Sequence, residues 1–243
     1  MLFIQSTIFK ILILLAVMSA VELVLFKMGM NSAGVAEIMP KDHGQGIEAV
    51  ILNSRISWVF GVAYILGTVI LLKMSAGAGG KSNYTFGRLS ISEHAVFGWQ
   101  AVCNAGMYFV MWAAQSALAL LMCRWYSATA DPALLSGQTV FLAFYRSQFL
   151  HSLLPMENVL RWVRNIILCA GLGAASAGHS FKQRQGKRSM EIFILGAAAI
   201  LLFNTLMENR VADCVLILLS AGLFVNIVYE MKKEAHKDEA ELY

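Results

Sequence analysis

Residues 11–30, ILILLAVMSAVELVLFKMGM, form an apolar run in which Glu22 and Lys27 are the charged positions. About 20 predominantly apolar residues are enough for a helix to cross the hydrocarbon core of a bilayer. Lys10 before the run and the small residues near Ala20 also suit a secretory signal, but the apolar character resumes after Glu22. We therefore predict an uncleaved first transmembrane helix.

The composition of the whole chain extends this prediction to further helices. Of the 243 residues, 58% are hydrophobic and 14% are charged, whereas about a quarter of the residues in an ordinary soluble domain are charged. The mean hydropathy is +0.63. The length allows about six spans and leaves no room for a separate soluble domain of about 100 residues. We predict an all-α, polytopic integral membrane protein with one transmembrane domain, 1–230, and a short charged tail, 231–243. The predicted spans are about 8–29, 55–74, 94–123, 159–178, 190–207 and 212–230.

The distribution of lysine and arginine predicts the orientation of the chain. Cytoplasmic loops of membrane proteins carry an excess of these residues. With a cytoplasmic N-terminus, eleven of the 19 fall on the inner side, and the segment 182–188 alone holds four. We therefore expect both termini in the cytoplasm and a multi-pass protein of the cell membrane, specifically a bacterial plasma membrane. The eleven are Lys10, Lys73, Lys81, Arg88, Lys182, Arg184, Lys187, Arg188, Lys232, Lys233 and Lys237.

The sequence carries few groups typical of catalysis or metal binding. The four cysteines lie in apolar runs without a C-x-x-C spacing, and the five histidines lie in loops, at span ends or in the tail. His94 and His179, at one membrane edge, are the metal or haem alternative left open. The chain has no phosphate-binding G-x-x-x-x-G-K-[ST] loop, no H-E-x-x-H and no G-x-S-x-G. We expect no enzymatic activity, cofactor, metal or nucleic-acid partner.

Glu22 lies inside the first predicted span, where a carboxylate costs on the order of 2.5 to 3.5 kcal/mol. Two interpretations account for it. The favoured one places Glu22 near the outer interface, paired with Lys27 or with an arginine of the fourth span. The alternative makes it a proton or cation site on a pathway.

The third predicted span carries a polar stripe. At 100° per residue, its members fall within an arc of about 80°. Interhelical hydrogen bonding is the commoner use of such a stripe, and a translocation path is the alternative. The members are Gln100, Asn104, Tyr108 and Gln115.

An unusually long outer segment, 124–158, precedes the fourth span. Its apolar part, TVFLAFYRSQFLHSLLP, residues 139–155, is too short to span comfortably, so we expect it to lie in the interface or to re-enter partway. Beyond it, Glu157, Arg161 and Arg164 share one helical flank, which predicts an ion pair at the outer surface. Within the fourth span, Ala170, Ala174 and Gly178 recur every four residues, a spacing that lets another helix approach closely.

Between the second and third spans, residues 83–100 read NYTFGRLSISEHAVFGWQ. Ser90 and Glu93 have the spacing of a capping box, in which each side chain bonds the other residue's amide. This predicts a helix that starts at about Ile91 and continues into the third span.

The first half of the same stretch gathers apolar side chains in a cytoplasmic loop. Tyr84, Phe86 and Leu89 surround Arg88. Such a cluster at the membrane surface either anchors in the interface or docks against another protein.

Residues 84–98, YTFGRLSISEHAVFG, and the plan of six spans with both ends cytoplasmic resemble the permease subunits of type 2 ATP-binding-cassette exporters. The resemblance implies that this loop rests on a separate cytoplasmic ATPase and that the chain pairs, within membrane lipid, with another copy or a related subunit. Two features depart from the family: a basic residue that often follows the serine is absent, and the long outer segment precedes the fourth span. The ATPase-facing residues implied are Tyr84, Phe86, Arg88, Leu89, Ser90 and Glu93.

Three functional hypotheses follow. The leading one is a permease-like subunit of an ATP-driven transporter. The second is a non-catalytic accessory or scaffold subunit that docks through the small-residue face of the fourth span and the segment 124–158. The third is a small ion-coupled carrier or channel that uses Glu22 and the polar stripe.

Overall fold

The computed structural model describes residues 2–35, 47–75, 93–129, 138–156, 158–184, 190–204 and 210–241. Within these ranges the secondary structure is helical, without strands, which confirms the predicted all-α class. The helices are α1 (Leu2–Val35), α2 (Ile47–Asn53), α3 (Ile56–Ser75), α4 (Glu93–Thr129), α5 (Thr139–Arg146), α6 (Gln148–Leu153), α7 (Val159–Arg184), α8 (Glu191–Asn204) and α9 (Arg210–Glu241).

Five of these helices are long and apolar enough to cross a membrane, so the protein is a multi-pass membrane protein. They are α1, α3, α4, α7 and α9. The fifth predicted span, 190–207, corresponds to α8, which has 14 described residues and is therefore about 21 Å long. The helices outrun several predicted boundaries: α4 continues to Thr129, and α9 continues through most of the predicted tail to Glu241.

Helix α7 is the centre of the bundle. In its apolar window 61% of the residues are buried, against 22% in α1 and 17% in α9, so those two helices lie at the periphery. Gly173 lets α4 approach so closely that a Cβ there would lie 2.5 Å from Ala105 N. On the other side, a Cβ at Gly178 would lie 2.9 Å from the Ile227 side chain of α9.

The contact at Gly178 confirms the close approach predicted for the face formed by Ala170, Ala174 and Gly178, of which Ala174 is also buried. Gly173, which makes the approach to α4, lies beside that face. The approaching helices, α4 and α9, belong to the same chain. The scaffold hypothesis requires that this face be free to dock a partner. In the structure, α4 and α9 of the same chain cover it.

Aromatic side chains hold the short helix α8 in the core. Phe60 of α3 packs edge-to-face against Phe203 of α8, with ring centroids 5.3 Å apart, and against Phe149 of α6 at 6.0 Å. Aromatic pairs at these separations stabilise a core beyond the area that they bury. Helix α8 is therefore an integral part of the bundle although it is shorter than a typical span.

Within the predicted outer segment, the described residues 138–156 include two short helices, α5 and α6, that lie against one end of the bundle. Ser147 ends α5 and begins α6, where its hydroxyl accepts the Leu150 amide at 3.4 Å. Trp112 Nε1 donates to Leu153 O at 3.0 Å, which fixes the end of α6 against α4. With 8 and 6 residues, neither helix can span, as the sequence predicted.

Candidate functional site

Helix α4 bonds to three other helices through one polar flank. The three donors are four and seven residues apart, spacings that place them on one side of a helix. All three side chains are buried. The bonds are Asn104 Nδ2 to Ser176 Oγ of α7 at 2.7 Å, Tyr108 OH to Thr68 Oγ1 of α3 at 3.0 Å, and Gln115 Nε2 to Glu22 Oε2 of α1 at 2.8 Å.

The polar stripe of the third span therefore makes interhelical hydrogen bonds, the commoner of its two interpretations. Gln100 lies on the same helix and is half-buried. Tyr64 of α3 adds an aromatic contact, because its ring centroid lies 5.3 Å from that of Tyr108. Its hydroxyl lies 3.9 Å from Cys169 Sγ of α7, so α3, α4 and α7 meet at one polar and aromatic centre.

Glu22 is fully buried and takes its hydrogen bond from Gln115. The pairing expected in the favoured interpretation, with Lys27 or with an arginine of α7, is therefore wrong, and the placement of Glu22 near the outer interface stays a prediction. Lys27 is exposed, and it lies on another side of α1 from Glu22, because five residues correspond to a rotation of about 140° in an α-helix. Glu22 Oε1 and Gln115 Oε1 are both buried and have no hydrogen-bond partner among the described residues.

At one end of the bundle, which we call the arginine end, Arg161 and Arg164 of α7 meet Asp213 of α9. Arg164 Nη1 donates to Asp213 Oδ1 at 2.5 Å, and Arg161 Nε donates to Asp213 Oδ2 at 3.3 Å. Arg164 also donates to Asn165 Oδ1 from Nε at 3.2 Å and from Nη2 at 3.0 Å. Asn165 Nδ2 in turn donates to Ser152 O at 3.0 Å, which ties α6 to the cluster.

This cluster gives the two arginines of the predicted outer-surface pair a partner that was not predicted, and the pair with Glu157 itself stays a prediction. Arg161 and Arg164 are 7% and 3% exposed, so they are buried in protein. Their partner is Asp213, and Glu157 lies outside the described residues. Sequence reasoning missed Asp213, although its position in the first turn of α9 was a usable signal. On the predicted topology, the starts of α7 and α9 lie on the same side of the membrane.

At the opposite end, which we call the lysine end, Lys182 of α7 lies between two carboxylates. Its Nζ lies 2.7 Å from Glu191 Oε1 of α8 and also pairs with Glu230 of α9. Asn226 Nδ2 donates to the same Glu191 oxygen at 3.5 Å. The cluster joins α7, α8 and α9, and it was not predicted.

The two ionic clusters are separated by about the thickness of the hydrocarbon core. Arg161 and Lys182 lie 21 residues apart on α7, which corresponds to about 32 Å of helix, and the core of a bilayer is about 30 Å thick. This spacing fits one ionic cluster at each side of a membrane. The uncharged bonds of Asn104 and Tyr108 lie between them.

Helix α4 runs antiparallel to α7. Asn104 bonds Ser176, and Trp112 packs on Trp162 with ring centroids 5.4 Å apart. Because residue numbers fall on α7 as they rise on α4, Glu93, the first residue of α4, lies towards the lysine end.

Most of the predicted ATPase-facing residues lie outside the described residues, because residues 76–92 are not among them. This applies to Tyr84, Phe86, Arg88, Leu89 and Ser90. Glu93 is described in its backbone alone, as the first described residue of α4. The capping box and the docking surface remain predictions.

No protein-family model, curated protein or solved structure matches the chain. Among the described residues, no group of three or more histidine, cysteine, aspartate or glutamate side chains is arranged to hold a metal ion.

Proposed function

We propose that the chain is a permease-like membrane subunit of an ATP-driven, ABC-type transporter. It works in a bacterial plasma membrane together with a separate cytoplasmic ATPase and a second copy or related membrane subunit. The ATPase docks on residues 82–94, and this chain contributes no nucleotide-binding site of its own. The observation that supports the proposal best is the position of α4 between that loop and the rest of the bundle.

Helix α4 begins at Glu93, inside the proposed docking segment, and continues for 37 residues, or about 55 Å. A continuous helix moves as a stiff rod, so a displacement of its first turn reaches its far end. Along the way its buried side chains hold α7, α3 and α1 through one hydrogen bond each. Movement of the docked ATPase would therefore tilt α4 and shift these three helices together.

The charge distribution supports a cytoplasmic position for the docking segment. The lysine end carries Lys182 and leads into the basic segment 182–188, the type of loop that stays in the cytoplasm. Glu93 lies towards the same end of the bundle. The aromatic and arginine side chains of residues 84–89 would then face a soluble partner, and these residue types are enriched at the centres of protein interfaces.

Purification of the tagged chain from its native membranes with native lipids, followed by mass spectrometry, tests the proposal. We expect an ATPase to co-purify. The combined substitution Tyr84→Ala, Arg88→Ala and Leu89→Ala should remove it without changing the elution volume of the membrane subunit.

A matched control is the combined substitution Gln185→Ala, Lys187→Ala and Arg188→Ala. It alters the same number of side chains in another predicted cytoplasmic loop, and we expect it to retain the ATPase. A stable complex that contains no ATPase would contradict the proposal, as would equal loss from both variants.

A further inference from the structure

Glu22 and Gln115 share one hydrogen bond, and each also has a buried oxygen without a hydrogen-bond partner among the described residues. Both side chains are 0% exposed, and the bond of 2.8 Å from Gln115 Nε2 to Glu22 Oε2 uses one polar atom of each. The remaining oxygens, Glu22 Oε1 and Gln115 Oε1, are buried without a partner among the described residues. Burial of an unpaired polar oxygen costs about 1–3 kcal/mol in proteins, and burial of an ionised carboxylate costs more.

A single proton on Glu22 would give both of these oxygens a hydrogen-bond partner. An ionised carboxylate and an amide oxygen are both acceptors, so they cannot bond to each other. A proton on Glu22 Oε1 turns that oxygen into a donor, and Gln115 Oε1 is the matching acceptor on the group already bonded to Oε2. The two side chains then form a cyclic acid–amide pair with two parallel hydrogen bonds, and no charge is buried.

We propose that Glu22 is a proton-binding site, occupied at neutral pH, in which the neutral carboxylic acid pairs with Gln115 and joins α1 to α4. Loss of the proton leaves a charged carboxylate facing an amide oxygen inside the bundle. The contact between α1 and α4 is then weakened.

A metal cation is a poorer fit to the same two oxygens. Hard cations such as Ca²⁺ and Mg²⁺ take about six oxygen ligands. Glu22 and Gln115 offer two unused oxygens, and the described part of the chain adds no further hydrogen bond to either group. A single proton needs one donor oxygen and one acceptor oxygen.

The ionisable side chains around α1 do not supply a counter-charge to Glu22. Helices α3, α4 and α2 pack against α1, and none of their described ionisable side chains forms an ion pair or hydrogen bond with Glu22, whose described partner is the uncharged Gln115. Several are already paired, as Glu48 is with Arg146 and Tyr64 is with Cys169. The groups are Glu48 of α2, Arg55 in the following turn, Tyr64 and Lys73 of α3, Cys103, Tyr108, Cys123, Arg124 and Tyr126 of α4, and Lys10 and Lys27 of α1 itself.

This inference is independent of the ATPase proposal, because it uses contacts within α1 and α4 alone. The Glu22 site is compatible with each of the three functional hypotheses. A proton site there would make the packing of the first helix sensitive to pH.

Infrared spectroscopy of the purified chain in lipid tests the proposal, because a neutral carboxylic acid has a C=O stretch distinct from that of a carboxylate. We expect this band at neutral pH in the wild type and its loss in Glu22→Gln. The glutamine keeps the size of the side chain and can make both hydrogen bonds, so this variant should fold. The swapped variant, Glu22→Gln with Gln115→Glu, rebuilds the acid–amide pair and should recover the band.

Three results would overturn the proposal. Identical spectra of the wild type and Glu22→Gln in this region at neutral pH would mean that Glu22 is ionised. Disappearance of the band on addition of sodium chloride at constant pH would mean that a cation competes for the site. Failure of the folded swapped variant to recover the band would mean that Gln115 is not the partner of the proton.

Discussion

Gln115 of α4 donates a hydrogen bond of 2.8 Å to Glu22 of α1, between two fully buried side chains that are 93 residues apart in sequence. Helix α1 is peripheral, with 22% of its apolar window buried, and its inward face includes Glu22 and the buried apolar residues Ile11, Leu15, Met18 and Phe26. The bond therefore adds a polar contact to a face that apolar packing also turns inward.

Gln115→Leu should lower the free energy of unfolding by about 1–3 kcal/mol, because Glu22 then has no partner inside the bundle. Unfolding of the detergent-solubilised protein by dodecyl sulfate, followed by circular dichroism, measures this change. The control is Glu22→Leu combined with Gln115→Leu, which removes both polar groups. We expect the double variant to lose less than the sum of the single variants, and full additivity would show that the two side chains do not interact.

Asp213→Asn should lower the free energy of unfolding by about 3–5 kcal/mol, because two buried guanidinium groups lose their compensating charge. The comparison is Glu48→Gln, which breaks the pair between Glu48 and Arg146. In that pair the arginine side chain is 64% exposed, so the loss should be below about 1 kcal/mol. Equal effects of the two substitutions would show that the arginine end is as solvated as the protein surface.

Gly173→Ala should force α4 and α7 apart, because the added Cβ would lie 2.5 Å from a backbone nitrogen of α4. We expect a loss of about 1–3 kcal/mol in the free energy of unfolding. Gly106→Ala is the matched control, since a Cβ at Gly106 meets nothing within 4 Å. That variant should be neutral or more stable by up to about 1 kcal/mol, because alanine has the higher helix propensity. A neutral Gly173→Ala would contradict the close packing of α4 on α7.

At the lysine end, we expect the stability losses to decrease in the order Lys182→Met, Glu191→Gln, Glu230→Gln. Removal of the lysine leaves two carboxylates without their cation, whereas Glu230 is 43% exposed and Glu191 is 12% exposed in their side chains. The loss for Glu230→Gln should stay below about 1 kcal/mol. The same unfolding measurement ranks the three variants, and a largest loss at Glu230 would refute the assigned order.

The sequence predicts the helical membrane class and most spans because both depend on local hydropathy. The inward side of α4 was also predictable, since Asn104, Tyr108 and Gln115 recur with the helical period. Close packing at Gly173 and Gly178 followed from the concentration of small residues in α7. Each of these properties can be inferred within a window of about one helix.

The partners across the bundle could not be predicted in this way. Arg161 bonds Asp213, which lies 52 residues away, and Glu22 bonds a residue 93 positions away. A single sequence shows that a buried charge needs a partner, but it does not show which helices are neighbours. The prediction for Glu22 therefore chose basic partners and was wrong, and the prediction for Arg161 and Arg164 did not include Asp213.

Photo-crosslinking from Tyr84 shows whether a cytoplasmic ATPase is docked on residues 82–94. A photoreactive amino acid replaces Tyr84 in one variant and Gln185, in the other predicted cytoplasmic loop, in the control, and the crosslinked products in intact membranes are identified by mass spectrometry. We expect the variant at position 84 to crosslink to a polypeptide with a phosphate-binding loop, and the variant at 185 to give little of that product. Crosslinks from position 84 to lipid or to this same chain alone would contradict the account.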